Sequence, residues 1–85
     1  MKRKRQVKLF ALSTCVWCKR TKRLLNEMGV DYDFVDVDLL PEDEEREIRD
    51  YIDRLDTDGG FPVIIIDGKE VISGYDEYRI RQALS

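Results

Sequence analysis

The sequence predicts an α/β fold, a mixed four-stranded sheet with helices on both faces, from three observations. An apolar run over residues 7–12 is followed by a helix-favouring segment and a second strand-like segment. A later and more apolar run, Val63–Ile66, ends at Asp67-Gly68, a strong hairpin signal. An acidic amphipathic segment separates the two halves. The predicted order is therefore strand, helix, strand, helix, strand, strand, helix (βαβαββα).

The first half is predicted from its hydrophobic pattern. Residues 7–12 carry apolar side chains at both odd and even positions, as in a strand covered on two faces. Residues 16–28 repeat apolar side chains at helical spacing. Residues 32–39 form the predicted second strand, in which Asp36 and Asp38 indicate a wet face toward the end. A strand, a helix and a strand over about thirty residues imply a right-handed parallel crossover.

The second half is predicted from its helix and turn signals. Pro41 suits the first turn of a helix, and the four acidic residues after it suit the positive end of the helix dipole. The apolar stripe of this helix consists of Ile48, Tyr51, Ile52 and Leu55. Residues 69–73 are the predicted returning strand of the hairpin. Residues 75–84 are the predicted last helix, with Tyr78 or Ile80 facing the sheet.

Length and charge limit the domain organisation and the function. The 85 residues carry a net charge of −3 and 42% hydrophobic side chains, which suit one small domain over residues 1–85. Residues 1–6 are expected to be a frayed basic terminus. A nucleic-acid-binding protein would be basic overall, so this composition predicts no nucleic-acid partner. We expect a monomer.

The sequence contains no recognisable membrane or export signal. No stretch approaches the length of a membrane span. The apolar run over residues 7–12 is too short for a signal peptide and lacks a small-residue cleavage site. We therefore expect a cytoplasmic protein with no membrane partner. In that compartment a Cys-x-x-Cys pair is more often catalytic or metal-binding than a structural disulfide.

Cys15 and Cys18 are the only cysteines, and they lie at the predicted turn from strand to helix. A thiolate attacks disulfides, and the free N–H groups and dipole at a helix N-terminus favour an anion. We therefore expect Cys15 to be the nucleophile, with a pKa below the usual value of about 8.5. Lys19 adds positive charge nearby. Cys18 is expected to be more buried and to resolve the mixed disulfide on Cys15.

Two other interpretations of the cysteine pair remain open. A permanent disulfide across so short a loop would constrain little of the unfolded chain. A structural zinc site usually takes four Cys or His ligands, whereas this chain has two Cys and no His. A dimer bridged by zinc or by an iron–sulfur cluster would supply four ligands. The alternative function is therefore a metal- or cluster-bridged dimer that acts as a carrier or storage protein.

Three further motifs are candidates for substrate binding. Trp17 lies between the cysteines, where we expect an exposed contact beside the sulfur, although it also fits the apolar stripe of its helix. Phe61-Pro62 precedes the buried strand, and a cis bond there would turn the Phe61 backbone outward toward a substrate chain. The third motif is Gly74-Tyr75-Asp76. This triplet also has a purely structural interpretation, a strand end followed by a helix cap.

The Cys-x-x-Cys turn, the proline before the strand and the late Gly-Tyr-Asp triplet together resemble the glutaredoxin branch of the thioredoxin-fold family. The resemblance covers nearly the whole chain. It implies a small dithiol oxidoreductase that reduces protein or glutathione mixed disulfides, with a redox-active disulfide and no tightly bound cofactor. It implies that Cys15 is the nucleophile and Cys18 the resolving cysteine. It also implies that the Pro62 bond is cis and that Gly74 and Asp76 bind glutathione.

Departures from the common glutaredoxin pattern leave two reductants open. Val16-Trp17 replaces Pro-Tyr between the cysteines, and Gly60-Phe61 replaces Thr-Val before the proline. Leu12 stands where the family often has a lysine that meets a glutathione carboxylate. The Cys-Val-x-Cys pattern and the Ser-Gly-Tyr triplet are similar to redoxins that serve ribonucleotide reductase. The expected partners are therefore a disulfide-containing protein and a reductant, either glutathione or an enzyme of the thioredoxin-reductase type.

Overall fold

The order of secondary structure agrees with the sequence prediction. A computed structural model of the protein describes residues 5–55 and 60–85. Its elements are β1 Val7–Ala11, α1 Val16–Glu27, β2 Asp33–Asp36, α2 Glu42–Arg54, β3 Val63–Ile66, β4 Glu70–Ser73 and α3 Glu77–Leu84. A single 3-10 turn, Val37–Leu39, follows β2.

The four strands form one mixed sheet in the order β2-β1-β3-β4. Strand β1 runs parallel to β2 and antiparallel to β3, and β3 pairs antiparallel with β4. Leu9 of β1 lies opposite Phe34 on one side and Ile64 on the other. Because β1 and β2 are parallel, their carboxyl ends meet at one edge of the sheet, and the loop that leads to Cys15 begins there.

Helices cover both faces of the sheet, which confirms the predicted fold class. Successive side chains of a strand point to opposite faces. On one face Leu9 packs with Leu25 of α1 and Ile80 of α3. On the other face Phe10 packs with Ile52 of α2. The central strands β1 and β3 therefore require apolar side chains at nearly every position.

The second strand is shorter than predicted. It ends at Asp36 instead of residue 39, because the chain turns into the 3-10 helix that buries Val37 completely. The Leu40 N–H donates to the carbonyl oxygen of Val37 over 3.2 Å and closes this turn. Pro41 follows, and it keeps Leu40 extended at φ −76° and ψ 156°. Helix α2 then begins at Glu42, so Pro41 precedes its first turn.

The structure also decides which apolar residues of the helices face the sheet. Ile80 is fully buried, whereas Tyr78 is 73% exposed, so Ile80 is the residue that packs on the sheet. Tyr51 was predicted in the apolar stripe of α2 but stays 38% exposed, and its ring meets the edge of Phe10 at 6.2 Å between centroids. Helix α3 begins two residues later than predicted because Asp76 is its N-cap.

Part of the terminus that we expected to be frayed is anchored. Gln6 and Asp67 are joined by two hydrogen bonds. In the first, the Asp67 N–H donates to the Gln6 carbonyl oxygen over 2.7 Å. The Asp67 carboxylate accepts from the Gln6 N–H over 2.9 Å, and Arg5 donates to the carbonyl oxygen of Ala83. Residues 1–4 lie outside the described residues. Within residues 5–55 and 60–85, no helix has the length and apolarity needed to cross a membrane.

Candidate active site

Cys15 immediately precedes α1 and is its N-cap residue. Its backbone is extended at φ −85° and ψ 119°, and its Sγ accepts the N–H of Cys18 over 3.3 Å. Serine or aspartate usually supplies this bond. The Cys15 N–H donates to the Leu12 carbonyl oxygen over 3.1 Å, which closes the loop from β1 to α1. The half-buried Cys15 sulfur therefore faces the positive end of the helix.

Cys18 lies one turn later and is completely buried. Burial raises its pKa to about 12, and the hydrogen bond and negative charge of Cys15 act in the same direction. The Leu12 N–H, 3.5 Å from the Cys18 Sγ, and the Lys22 ammonium favour the thiolate but do not compensate. The two thiols are free in this structure and differ in exposure and charge environment.

Trp17 lies on the surface, as expected from its place between the cysteines. It is 52% exposed, and its ring stacks on Tyr75 with 5.6 Å between centroids and 28° between planes. The Arg20 guanidinium lies 5.0 Å from the Trp17 ring centroid on the same helix. The Trp17 ring therefore contacts both Tyr75 and Arg20 beside the cysteine turn.

The proline motif and the glycine turn contact each other directly. The Phe61-Pro62 bond is cis, as the family resemblance implied. The Gly74 N–H donates to the carbonyl oxygen of Pro62 over 2.8 Å. Gly74 has φ +80°, a left-handed conformation that favours glycine. Phe61 and Tyr75 pack on the same cluster of core side chains as Cys15.

Asp76 and Lys19 complete the predicted site residues. One carboxylate oxygen of Asp76 accepts the Arg79 N–H over 3.0 Å and caps α3, as the structural interpretation of the triplet expects. Lys19 is exposed on α1, one residue after Cys18. The substrate-binding roles of Trp17, Lys19, Phe61, Pro62, Gly74, Tyr75 and Asp76 stay predictions.

Two aspartates that the sequence suggested only as a wet face also belong to this region. The Asp38 carboxylate accepts the Ser13 N–H over 2.9 Å and the Ser13 hydroxyl over 2.6 Å. These bonds from Ser13 lower the pKa of Asp38. Two residues earlier, Asp36 lies 3.1 Å from the Lys22 ammonium. The signal that would have located both is the parallel pairing of β1 and β2, which places their carboxyl ends together.

The described residues contain no evident metal centre. Within residues 5–55 and 60–85, no three His, Cys, Asp or Glu side chains lie close enough together to hold an ion. Cys15 and Cys18 would therefore need further ligands from outside this part of the chain. The bridged-dimer hypothesis requires a second copy to supply them.

Comparison with known proteins identifies the family. The family model described as Glutaredoxin matches residues 7–71. The chain belongs to the glutaredoxin family. It is 38% identical over 74 residues to a Clostridium pasteurianum protein described as an uncharacterized glutaredoxin-like 8.6 kDa protein in the rubredoxin operon, and the match covers 87% of this chain and 91% of that protein.

Two solved structures of glutaredoxin-family proteins are similar to the whole fold. Methanoredoxin from Methanosarcina acetivorans is 41% identical, with a TM-score of 0.87 over 94% of this chain and 84% of that one. A glutaredoxin from Methanosarcina mazei Go1 is 44% identical, with a TM-score of 0.84 over 94% of this chain and 78% of that one. The glutaredoxin fold predicted from the sequence is therefore confirmed.

Proposed function

We propose that the protein is a dithiol thiol–disulfide oxidoreductase that reduces protein or glutathione mixed disulfides. The observation that carries this proposal is the asymmetry of the two thiols. Cys15 presents its sulfur at the N-terminal end of α1, and Cys18 lies buried one turn behind it. This arrangement suits a nucleophile at the surface and a resolving thiol in reserve. We place this activity in the cytoplasm, where protein thiols are kept reduced.

The cycle consists of two exchanges. The Cys15 thiolate attacks one sulfur of the substrate disulfide, and the other substrate sulfur leaves as a thiolate that takes up a proton. The Cys18 thiolate then attacks the Cys15 sulfur, and the remaining substrate sulfur leaves in the same way. The substrate gains two electrons and two protons, and the protein ends as the Cys15–Cys18 disulfide. A reductant of the glutathione or thioredoxin-reductase type returns both thiols.

The surroundings of Cys18 support this order of steps. Burial, the hydrogen bond with Cys15 and the charge of Cys15 all raise the pKa of Cys18. In the mixed disulfide, Cys15 carries no negative charge and its sulfur is a weaker acceptor for the Cys18 S–H, so the last two causes weaken. The pKa of Cys18 therefore falls after the first exchange, when its thiolate is needed.

The surroundings of Cys15 support binding of an extended substrate. The cis bond to Pro62 suits pairing of the Phe61 backbone with a substrate chain. The stack of Trp17 on Tyr75 forms a flat wall on one side. The second carboxylate oxygen of Asp76 makes no cap bond and suits a substrate ammonium group.

Cysteine substitution tests the assignment of roles. Cys15→Ser should abolish reduction of a protein disulfide, because no nucleophile remains at the helix N-terminus. Cys18→Ser should instead accumulate a mixed disulfide, visible as an added mass on the intact protein that a reducing agent removes. Full dithiol activity in Cys15→Ser would overturn the proposal. Both changes are nearly isosteric, so circular dichroism of each variant serves as the folding control.

A comparison of reductants identifies the electron donor. The oxidised protein is offered either glutathione with glutathione reductase or thioredoxin reductase, each with NADPH. Faster NADPH consumption in one system names the reductant. Metal analysis and sizing of protein purified without air test the bridged dimer in the same preparation. A metal-free monomer that turns over supports the oxidoreductase, and an inactive metal-bridged dimer contradicts it.

A further inference from the structure

A half-buried ion pair joins the helix of Cys18 to strand β2. Lys22 follows Cys18 by one helical turn, so the two side chains share a face of α1. The Lys22 Nζ lies 3.1 Å from Asp36 Oδ1, with the two side chains 24% and 19% exposed. The ammonium also lies 4.2 Å from the Phe34 ring centroid. Lys22 is therefore held in one place, whereas most surface lysines are not.

The second exchange of the proposed cycle creates a need for such a charge. Cys18 must lose its proton inside the core, where burial opposes an anion. Three groups act on the Cys18 sulfur: the Cys15 thiol, the Leu12 N–H after β1, and the Lys22 ammonium of α1. Asp36, at the end of β2, faces Lys22. Once Cys15 is in a mixed disulfide, Lys22 is the one full positive charge among them.

We propose that Lys22, held by Asp36 and Phe34, is a positioning residue that stabilises the Cys18 thiolate in the resolving step. This proposal rests on the proposed function. In that step the Cys18 thiol gives its proton to water, and its thiolate attacks the Cys15 sulfur. The bond between Cys15 and the substrate breaks, and the substrate thiolate leaves with the electron pair and takes up a proton. No further oxidant or reductant takes part.

The contacts of Lys22 shield its charge from the bulk solvent. Lowering the exposure of an ammonium reduces the screening of its charge by water. Asp36 holds the ammonium at 3.1 Å from its Oδ1, while the stem of Lys22 leaves α1 one turn after Cys18. The Phe34 ring, itself 51% exposed on the edge strand β2, contacts the ammonium from one side.

A disulfide reagent with two coloured thiolates separates the two steps. Reduced protein mixed with dithiobis-nitrobenzoate releases one nitrothiophenolate when Cys15 attacks and a second when Cys18 resolves the mixed disulfide. Stopped-flow absorbance records both rates as a function of pH. The variant Lys22→Met should leave the first release unchanged and slow the second about three-fold for each unit by which the Cys18 pKa rises. In this variant, the curve of the second-release rate against pH should move to higher pH.

Matched variants distinguish a charge effect from a packing effect. Lys22→Arg keeps the charge and should restore the second release, whereas Arg23→Met removes an exposed cation from the same helix and should leave both releases unchanged. An unchanged second release in Lys22→Met, or equal slowing in Arg23→Met, would overturn the proposal. Loss of the first release in the unmodified protein would contradict the proposed function instead. Urea unfolding of each variant shows whether α1 remains packed.

Discussion

Helices α1 and α2 lie on opposite faces of one sheet, but their charges follow opposite patterns. The first turn of α2 carries four acidic residues, which the helix dipole favours. The first turn of α1 carries none, and its cations begin immediately after Cys18. Two arginines of α2 pair with glutamates one turn earlier, Arg46 with Glu42 and Arg49 with Glu45. Helix α1 has no such pair among the described residues.

This difference shows where stability alone explains the sequence and where it does not. Every charge in the first turn of α2 supports the helix. In α1 the early cations oppose the dipole, and a cysteine serves as the N-cap. Where a segment departs from the residue preferences that stabilise a helix, the departure often marks a functional site. The start of α1 is the place where a thiolate is proposed, and cations stabilise a thiolate although they do not stabilise the helix.

The largest effects should come from the buried face of α1, because its packing is ordinary even though its start is not. Leu25 is fully buried against β1, so Leu25→Ala should lower the free energy of unfolding by about 2–5 kcal/mol. Trp17→Ala should change it far less, because that side chain is half exposed. Urea unfolding measures both. A larger loss for Trp17→Ala would place Trp17 in the core and contradict the separation of the two faces.

A smaller effect should come from the loop that precedes α1, which Asp38 holds through Ser13. The pKa of Asp38 is lowered by its bonds to Ser13, so its contribution to stability is fully present above its unfolded pKa of about 3.9 and is lost as the pH falls through the lower folded value. Asp38→Asn should therefore be less stable than the unmodified protein at pH near 7, with a difference that shrinks toward pH near 3.

The measurement is urea unfolding at both pH values, with Asp33→Asn as the matched control because Asp33 is exposed on β2. A difference between Asp38→Asn and the unmodified protein that stays the same at the two pH values would show that the carboxylate charge does not hold the loop. Iodoacetamide labelling of Cys15 in the same variants reports whether the loop also positions the nucleophile.

Local pattern was sufficient to predict the fold and the cysteine turn. Continuous apolar runs indicated β1 and β3, the helical repeats indicated α1 and α2, and Asp67-Gly68 indicated the hairpin. Each of these signals is read within one segment of the chain. The cysteine pair carried its own chemistry, and the family comparison agrees with the resemblance that its motifs indicated.

Contacts between distant segments were not predictable in the same way. Tyr78 and Ile80 are both apolar and two residues apart, so only the position of the sheet decides which one is buried. The sequence indicated only that Asp36 and Asp38 lie on a solvent-facing side of a strand, because their partners Lys22 and Ser13 lie in other parts of the chain. Their roles depend on the register between β1 and β2, which no single segment encodes.

Reversing one early charge of α1 should exchange activity for stability. Lys19→Glu removes a cation that the dipole disfavours and places a carboxylate one turn before Arg23, a favourable order for a helical pair. We expect the free energy of unfolding to rise by about 0.3–1 kcal/mol while the first exchange slows, because the new charge opposes the Cys15 thiolate. Urea unfolding and the first thiolate release measure the two quantities. If the variant gains stability and the first release is not slower, Lys19 supports neither the helix nor the Cys15 thiolate.

The smallest effect should come from a charge of α2, and it should be confined to stability. Glu45 pairs with Arg49 over 2.9 Å, and the two side chains are 29% and 44% exposed. Glu45→Gln should lower the free energy of unfolding by about 0.3–0.5 kcal/mol, as for other pairs at this spacing. Glu42→Gln is the matched control, since the 3.6 Å pair of Glu42 with Arg46 is more exposed and should contribute less.

Both thiolate releases should be unchanged in Glu45→Gln, because α2 covers the face of the sheet opposite to the cluster that includes Cys15 and Cys18. Stopped-flow rates and urea unfolding on the same protein samples make the comparison direct. A slower second release in this variant would mean that the charges of α2 act across the sheet. The contrast between a helix charged for stability and a helix charged for chemistry would then not hold.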